Sequence, residues 1–170
     1  YALSYVGFFK MPQGGSVTLA SMLPIMLFAY MFGIRKGILV GVLYGVLQAV
    51  QDPWIIHPAQ FLLDYPIAFG MLGLAGLFRE INVIKKPVWA FMAGALVAVT
   101  MRYFSHVMSG IFAFSSYAQE GYSAVAWGFV YNTFTFVDAA VAMAVAFVLF
   151  KSKSFMRLVY EKSAIENIAD

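Results

Sequence analysis

Four long stretches of this chain, residues 17–33, 59–78, 88–112 and 124–150, are almost free of charge, the exceptions being Asp64, Arg102 and Asp138. A helix needs about 20 consecutive apolar residues to cross a hydrocarbon core. A membrane-spanning barrel would instead require polar and apolar residues to alternate, and these runs are apolar all round. The chain therefore reads as all-α, a polytopic membrane protein. Only 11% of its 170 residues are charged, against about 25% in a soluble domain, and the mean hydropathy is +0.81. At about 20 residues per span there is room for about five or six helices and no separate soluble domain. Residues 1–150 read as a single transmembrane helical domain and 151–170 as a charged cytoplasmic tail.

The apolar run Tyr1 to Phe9 is too short to span and has no basic leader before it, so it reads as the end of a first helix truncated in this chain rather than as a signal peptide. Lys10 to Ser16 is rich in turn formers. Residues 17–33 form the second span, with a kink expected at Pro24. A third, short helix over 37–50 carries Gly37, Gly41 and Gly45, a spacing that lets helices approach closely, and packing within the protein is its favoured use. Spans at 59–78, 88–112 and 124–150 complete the set, and a surface helix is expected beyond Lys151. No internal repeat is visible. Cysteine is absent, which removes disulfides, thiolate metal sites and cysteine nucleophiles.

Basic residues fall on alternate loops. Arg35, Lys36, Arg79, Lys85, Lys86, Lys151, Lys153, Arg157 and Lys162 belong to one side, and only Lys10 to the other. The positive-inside rule then makes the carboxyl terminus cytoplasmic and turns the Gly15, Trp54 and Glu120 loops outward. Topology accounts for the net charge of +3, so no nucleic-acid partner is implied.

An ionisable residue inside a span costs about 2.5–3.5 kcal/mol and is a functional candidate. Counting from the outer helix ends, Asp64, His106 and Asn132 reach a common level roughly 9–12 Å below the surface at 1.5 Å per residue. Arg102 lies one turn deeper than His106 on the same face, and Asp138 deeper still. If those two neutralise each other, Asp64 is left as an unmatched carboxylate. Trp54, Tyr65, Phe114, Tyr117, Trp127 and Tyr131 surround that level. Aromatic faces with one carboxylate suit a flat organic cation. The bland alternatives are a helix–helix hydrogen bond for Asp64 or Asp138, a satisfied core histidine for His106, and an interfacial belt for the aromatics.

Several segments, in this order and spacing, are similar to one family. They are Pro12-Gln13-Gly14-Gly15-Ser16, Gln60-Phe61-Leu62-Leu63-Asp64-Tyr65, Gly73-Leu74-Ala75-Gly76-Leu77-Phe78-Arg79, Arg102-Tyr103-Phe104-Ser105-His106 with Gly110, Ser116-Tyr117-Ala118, and Ala124-Val125-Ala126-Trp127 with Tyr131-Asn132. The chain resembles the thiamine-specific substrate-binding (S) components of energy-coupling-factor transporters. The resemblance implies a six-helix bundle in the plasma membrane that captures thiamine at the outer face. It also implies partners, a transmembrane coupling subunit and two ATPase subunits. It carries the ligand-lining role onto Asp64, Tyr65, His106, Phe114, Trp127 and Asn132, with Trp54 and the loop at Gly15 closing over the ligand. The pattern departs from the family's at three of these positions: aspartate at 64 for glutamate, phenylalanine at 114 for tryptophan, and tryptophan at 127 for tyrosine.

Nothing in the chain binds nucleotide phosphates through GxxxxGK[ST], no cofactor is implied, and energy must come from a partner. The rival readings are an S component for riboflavin or hydroxymethylpyrimidine, a membrane-embedded enzyme using Asp64, His106 and Asp138, and a stand-alone carrier. Against the enzyme stands the lack of HExxH, GxSxG or an aspartate-rich diphosphate motif. Against the carrier stands the lack of inverted repeats.

Overall fold

Proline falls in the first turn of three helices, at Pro24, Pro58 and Pro87, where its missing N–H leaves no helical bond unmade. The computed structural model describes residues 7–10, 16–18, 20–51 and 53–169. Its helices are α1 (Leu23–Phe32), α2 (Ile34–Gln51), α3 (Pro58–Glu80), α4 (Pro87–Ala113), α5 (Ala124–Tyr131), α6 (Phe134–Leu149) and α7 (Lys153–Ala169). Two short strands, β1 (Gly7–Lys10) and β2 (Ser16–Thr18), pair antiparallel with Lys10 opposite Ser16. By length and composition α3, α4 and the segment Ala124–Leu149 that joins α5 to α6 can each cross a membrane, and α1 is a shorter apolar helix.

Two expectations are corrected at the amino-terminal end. Gly7–Lys10 is a strand and not the end of a helix; its partner Ser16–Thr18 satisfies its backbone, and aromatic residues such as Phe8 and Phe9 suit a strand. Residues 1–6 and Gly15 lie outside the described residues. Pro24 does not kink a helix running from residue 17, because α1 begins only at Leu23 and holds the proline in its first turn.

The glycine stripe of α2 lies directly on α3. A Cβ at Gly45 would stand 2.6 Å from the carbonyl carbon of Tyr65 and one at Gly41 would stand 2.8 Å from that of Phe69. Only glycine permits this approach, and the favoured packing role is what the stripe does. The elbow between α1 and α2 is Gly33, at φ +91°. The end of α3 clamps it: Glu80 Oε1 accepts the Ile34 N–H at 2.5 Å, and Arg79 donates to the Tyr30 carbonyl while its guanidinium lies 5.3 Å over the Tyr30 ring.

An aromatic cluster lies at the end of the bundle where α4 begins. Tyr30, Phe91 and Phe150 meet there at ring distances of 5.2–5.6 Å, and Phe155 of α7 joins Phe150 at 5.2 Å. The aromatic core thus ties α1, α4, α6 and α7 together. It lies about 22 Å along α4 from His106, leaving the other end of the bundle to polar groups.

Candidate ligand-binding site

Asp64 is presented by an irregular turn. Residues Leu63–Ile67 of α3 form one π turn containing Pro66; proline cannot donate the α-helical bond, so the widened turn relieves the ladder. Ser105 of α4 donates to the Leu63 carbonyl at 2.6 Å. A hydroxyl from the neighbouring helix therefore fastens the turn that carries the carboxylate.

Three side chains converge on the Asp64 carboxylate. Gln60 Nε2 and Ser109 Oγ donate to Asp64 Oδ2 at 2.8 and 2.7 Å, and His106 Nδ1 lies 2.9 Å from Oδ1. Arg102 Nε lies 3.3 Å from the other ring nitrogen, Nε2. Arg102, His106 and Ser109 follow one another at four- and three-residue spacing, which aligns them on one face of α4. Asp64 and His106 are thus in contact, with side-chain exposures of 18% and 11%.

Arg102 and Asp138 act on each other as the nearest opposite charges, as expected, but across a gap: among the described residues no direct ion pair or hydrogen bond joins them. Asp138, 2% exposed, accepts both the N–H and the hydroxyl of Thr18 on Oδ1, at 2.8 and 3.0 Å. The Arg102 guanidinium lies 4.4 Å over the Phe69 ring and turns its Nε toward His106. Asp64, expected as a carboxylate unmatched in charge, is well supplied with hydrogen-bond partners. A carboxylate has about four acceptor positions; three are filled from Gln60, Ser109 and His106, and one on Oδ1 is left.

Rings lead away from this centre. His106 and Phe134 are 6.4 Å apart, Phe134 and Tyr131 5.9 Å, Tyr131 and Trp127 6.0 Å, and Trp127 and Tyr122 5.5 Å. Trp127 Nε1 is buried and finds no hydrogen-bond partner among the described residues. Asn132 stands at the break between α5 and α6, buried, and donates its amide to the Gly128 carbonyl at 2.8 Å. Phe114 caps the end of α4 and packs on Tyr117 at 5.8 Å, apart from the row. Gln60, Ser109 and Phe134 were not singled out from sequence, although Gln60 precedes Asp64 by four residues and Ser109 follows His106 by three.

The loop before α3 is tied to the same group. Gln60, 2% exposed, donates to the Trp54 carbonyl at 2.9 Å and accepts the Ile56 N–H at 3.2 Å, while Trp54 N–H donates to Tyr65 Oη at 3.0 Å. Trp54 remains 39% exposed. Gln60→Leu keeps the volume and removes these bonds, each worth about 1 kcal/mol. Amide exchange at Ile56 should then quicken about tenfold or more, while exchange in the Phe91 region stays unchanged; unaltered exchange at Ile56 would count against the tether.

The model of the thiamine transporter protein family (Thia_YuaJ) matches residues 1–158. Thiamine transporter ThiT of Bacillus subtilis (strain 168) is 33% identical over 150 residues, covering 84% of this chain and 78% of that protein. Thiamine transporter ThiT of Lacticaseibacillus paracasei is 30% identical over 115 residues, 58% of this chain and 57% of that one. A solved structure titled as ThiT from Listeria monocytogenes shares the fold, with a TM-score of 0.78 over 93% of this chain and 89% of the other at 22% identity. These are transporters, which sets aside the membrane-embedded enzyme. With a family model spanning nearly its whole length and a relative matched over most of both chains, this membrane protein belongs to the thiamine transporter protein family.

Proposed function

We propose that this chain is a thiamine-binding S component, and that Asp64, with the aromatic row beside it, forms the thiamine site. The observation that carries this reading is a carboxylate within a membrane span, hydrogen-bonded to Gln60, Ser109 and His106 and at the end of a row of rings. The direct contacts to its oxygens leave its charge to be balanced by a cation. Thiamine carries a permanently cationic thiazolium, an aminopyrimidine and a hydroxyl tail. Asp64 supplies the countercharge and one remaining lone pair, and the faces of His106, Tyr131 and Trp127 supply cation-π and stacking contacts worth about 0.5–2 kcal/mol each.

The division of polar labour differs from the simplest one, in which His106 and Asn132 bond the aminopyrimidine. Both ring nitrogens of His106 are engaged within the protein, and the Asn132 amide donates to Gly128. His106 therefore offers its face, and the Trp127 N–H is the donor at hand for a ring nitrogen or hydroxyl. Tyr65 and Trp54 brace the carboxylate's turn and its adjoining loop, and Phe114 adds an aromatic wall. In this reading the carboxyl terminus is cytoplasmic in the plasma membrane. A separate coupling subunit and two ATPase subunits drive uptake.

Titrating the purified full-length chain with thiamine while following tryptophan fluorescence tests the reading, because Trp127 lies in the row. A saturable change at about micromolar thiamine or below, lost in Trp127→Phe and much weaker with riboflavin or hydroxymethylpyrimidine, is expected. No saturable response to thiamine, or an equal one to riboflavin, would overturn it.

A further inference from the structure

We infer that Arg102 is a positioning residue that locks His106 in one tautomer and so fixes how Asp64 is presented. Arg102 is 8% exposed, its Nε is 3.3 Å from His106 Nε2, and its guanidinium is seated 4.4 Å over Phe69. A guanidinium only donates, so Nε2 of His106 must be the accepting, unprotonated nitrogen. The ring proton then sits on Nδ1, 2.9 Å from Asp64 Oδ1, where a carboxylate can only accept. The opposite tautomer would set two donors against each other at Nε2 and two acceptors at Nδ1. The chain Arg102, His106, Asp64 thus has one consistent sense of donation. It relays the pull of a buried cation to Asp64 without placing that cation against the carboxylate, which stays available to a cationic ligand.

The molecule contains its own control. It has two histidines, and His57 Nδ1 accepts the Ala59 N–H at 3.1 Å at the start of α3, so the proton of neutral His57 belongs on Nε2. The two rings are assigned opposite tautomers by their neighbours. The effect on thiamine rests on the function proposed above, whereas the tautomer does not.

The test is ¹⁵N spectroscopy of histidine-labelled full-length protein in lipid nanodiscs at pH about 8.5, two units above the ordinary histidine value of about 6.5, with thiamine titrated in parallel. In the unaltered chain His106 should show a protonated Nδ1 and a bare Nε2, and His57 the reverse. Arg102→Met should give His106 a mixture of tautomers and weaken thiamine about tenfold to a hundredfold, leaving His57 unchanged. Arg102→Lys, which keeps a charged donor, should keep the Nδ1–H form and bind more tightly than Arg102→Met. A His106 proton on Nε2, or a doubly protonated ring in the unaltered chain, would overturn the proposal whether or not any variant folds. So would an unchanged tautomer or unchanged thiamine affinity in a folded Arg102→Met. If the unaltered chain does not bind thiamine at all, the proposed function fails and the spectra still decide the tautomer.

Discussion

Asp64→Asn should lower thiamine affinity by about 30- to 1000-fold while leaving the protein folded. The estimate comes from the interaction removed. A cation about 4 Å from a carboxylate near the edge of a protein gains up to about 4 kcal/mol, and truncating one partner of such a pair commonly costs 2–5 kcal/mol. The asparagine keeps the shape but brings its own N–H2 toward Gln60 Nε2, Ser109 Oγ or His106 Nδ1, all donors to the carboxylate. That mismatch adds about 1–3 kcal/mol, and it falls on every ligand alike. The discriminating comparison is a neutral analogue with the thiazolium replaced by an uncharged ring. Calorimetry should find that Asp64→Asn weakens thiamine at least tenfold more than this analogue. Equal losses for both would mean that the carboxylate organises the pocket without sensing charge.

How much of this was legible beforehand follows from the kind of interaction involved. The spans at 59–78, 88–112 and 124–150 emerge as α3, α4 and α5–α6 within a few residues, because exclusion of charge from hydrocarbon acts on long runs. The joint level of Asp64 and His106 follows from helical rise, and the two side chains do touch. What the runs could not give was pairing. Arg102 and Asp138 do act on each other's charge, but the hydrogen bonds of Asp138 come from Thr18, 120 residues away in sequence. The amino-terminal strands were missed because a short aromatic stretch fits a strand or a helix end equally well. The π turn at Leu63–Ile67 was hidden in the same way, since Pro66 signals a disturbance of the helix but not its form.

Gly45→Ala, a single methyl on a helix that carries no expected binding residue, should weaken thiamine about tenfold and also lower stability. The new Cβ would stand 2.6 Å from the Tyr65 carbonyl carbon and 3.0 Å from Pro66 Cα, where carbon atoms prefer about 3.5–4.0 Å. Backbone cannot rotate aside, so α2 and the π turn must part by roughly 1 Å, at an overpacking cost of about 1–3 kcal/mol. The residue displaced is the one next to Asp64, and the carboxylate would move against His106 and Ser109, which α4 holds fixed. Gly41→Ala separates the two effects. It forces the same conflict at Phe69, beyond the π turn, and should match Gly45→Ala in lost thermal stability while retaining more thiamine affinity. Leu43→Ala, on the outward face of α2 at 57% exposure, should change neither. If Gly41→Ala and Gly45→Ala lost affinity in equal measure, the binding defect would reflect general loosening of the bundle, and the π turn would have no special hold on the carboxylate.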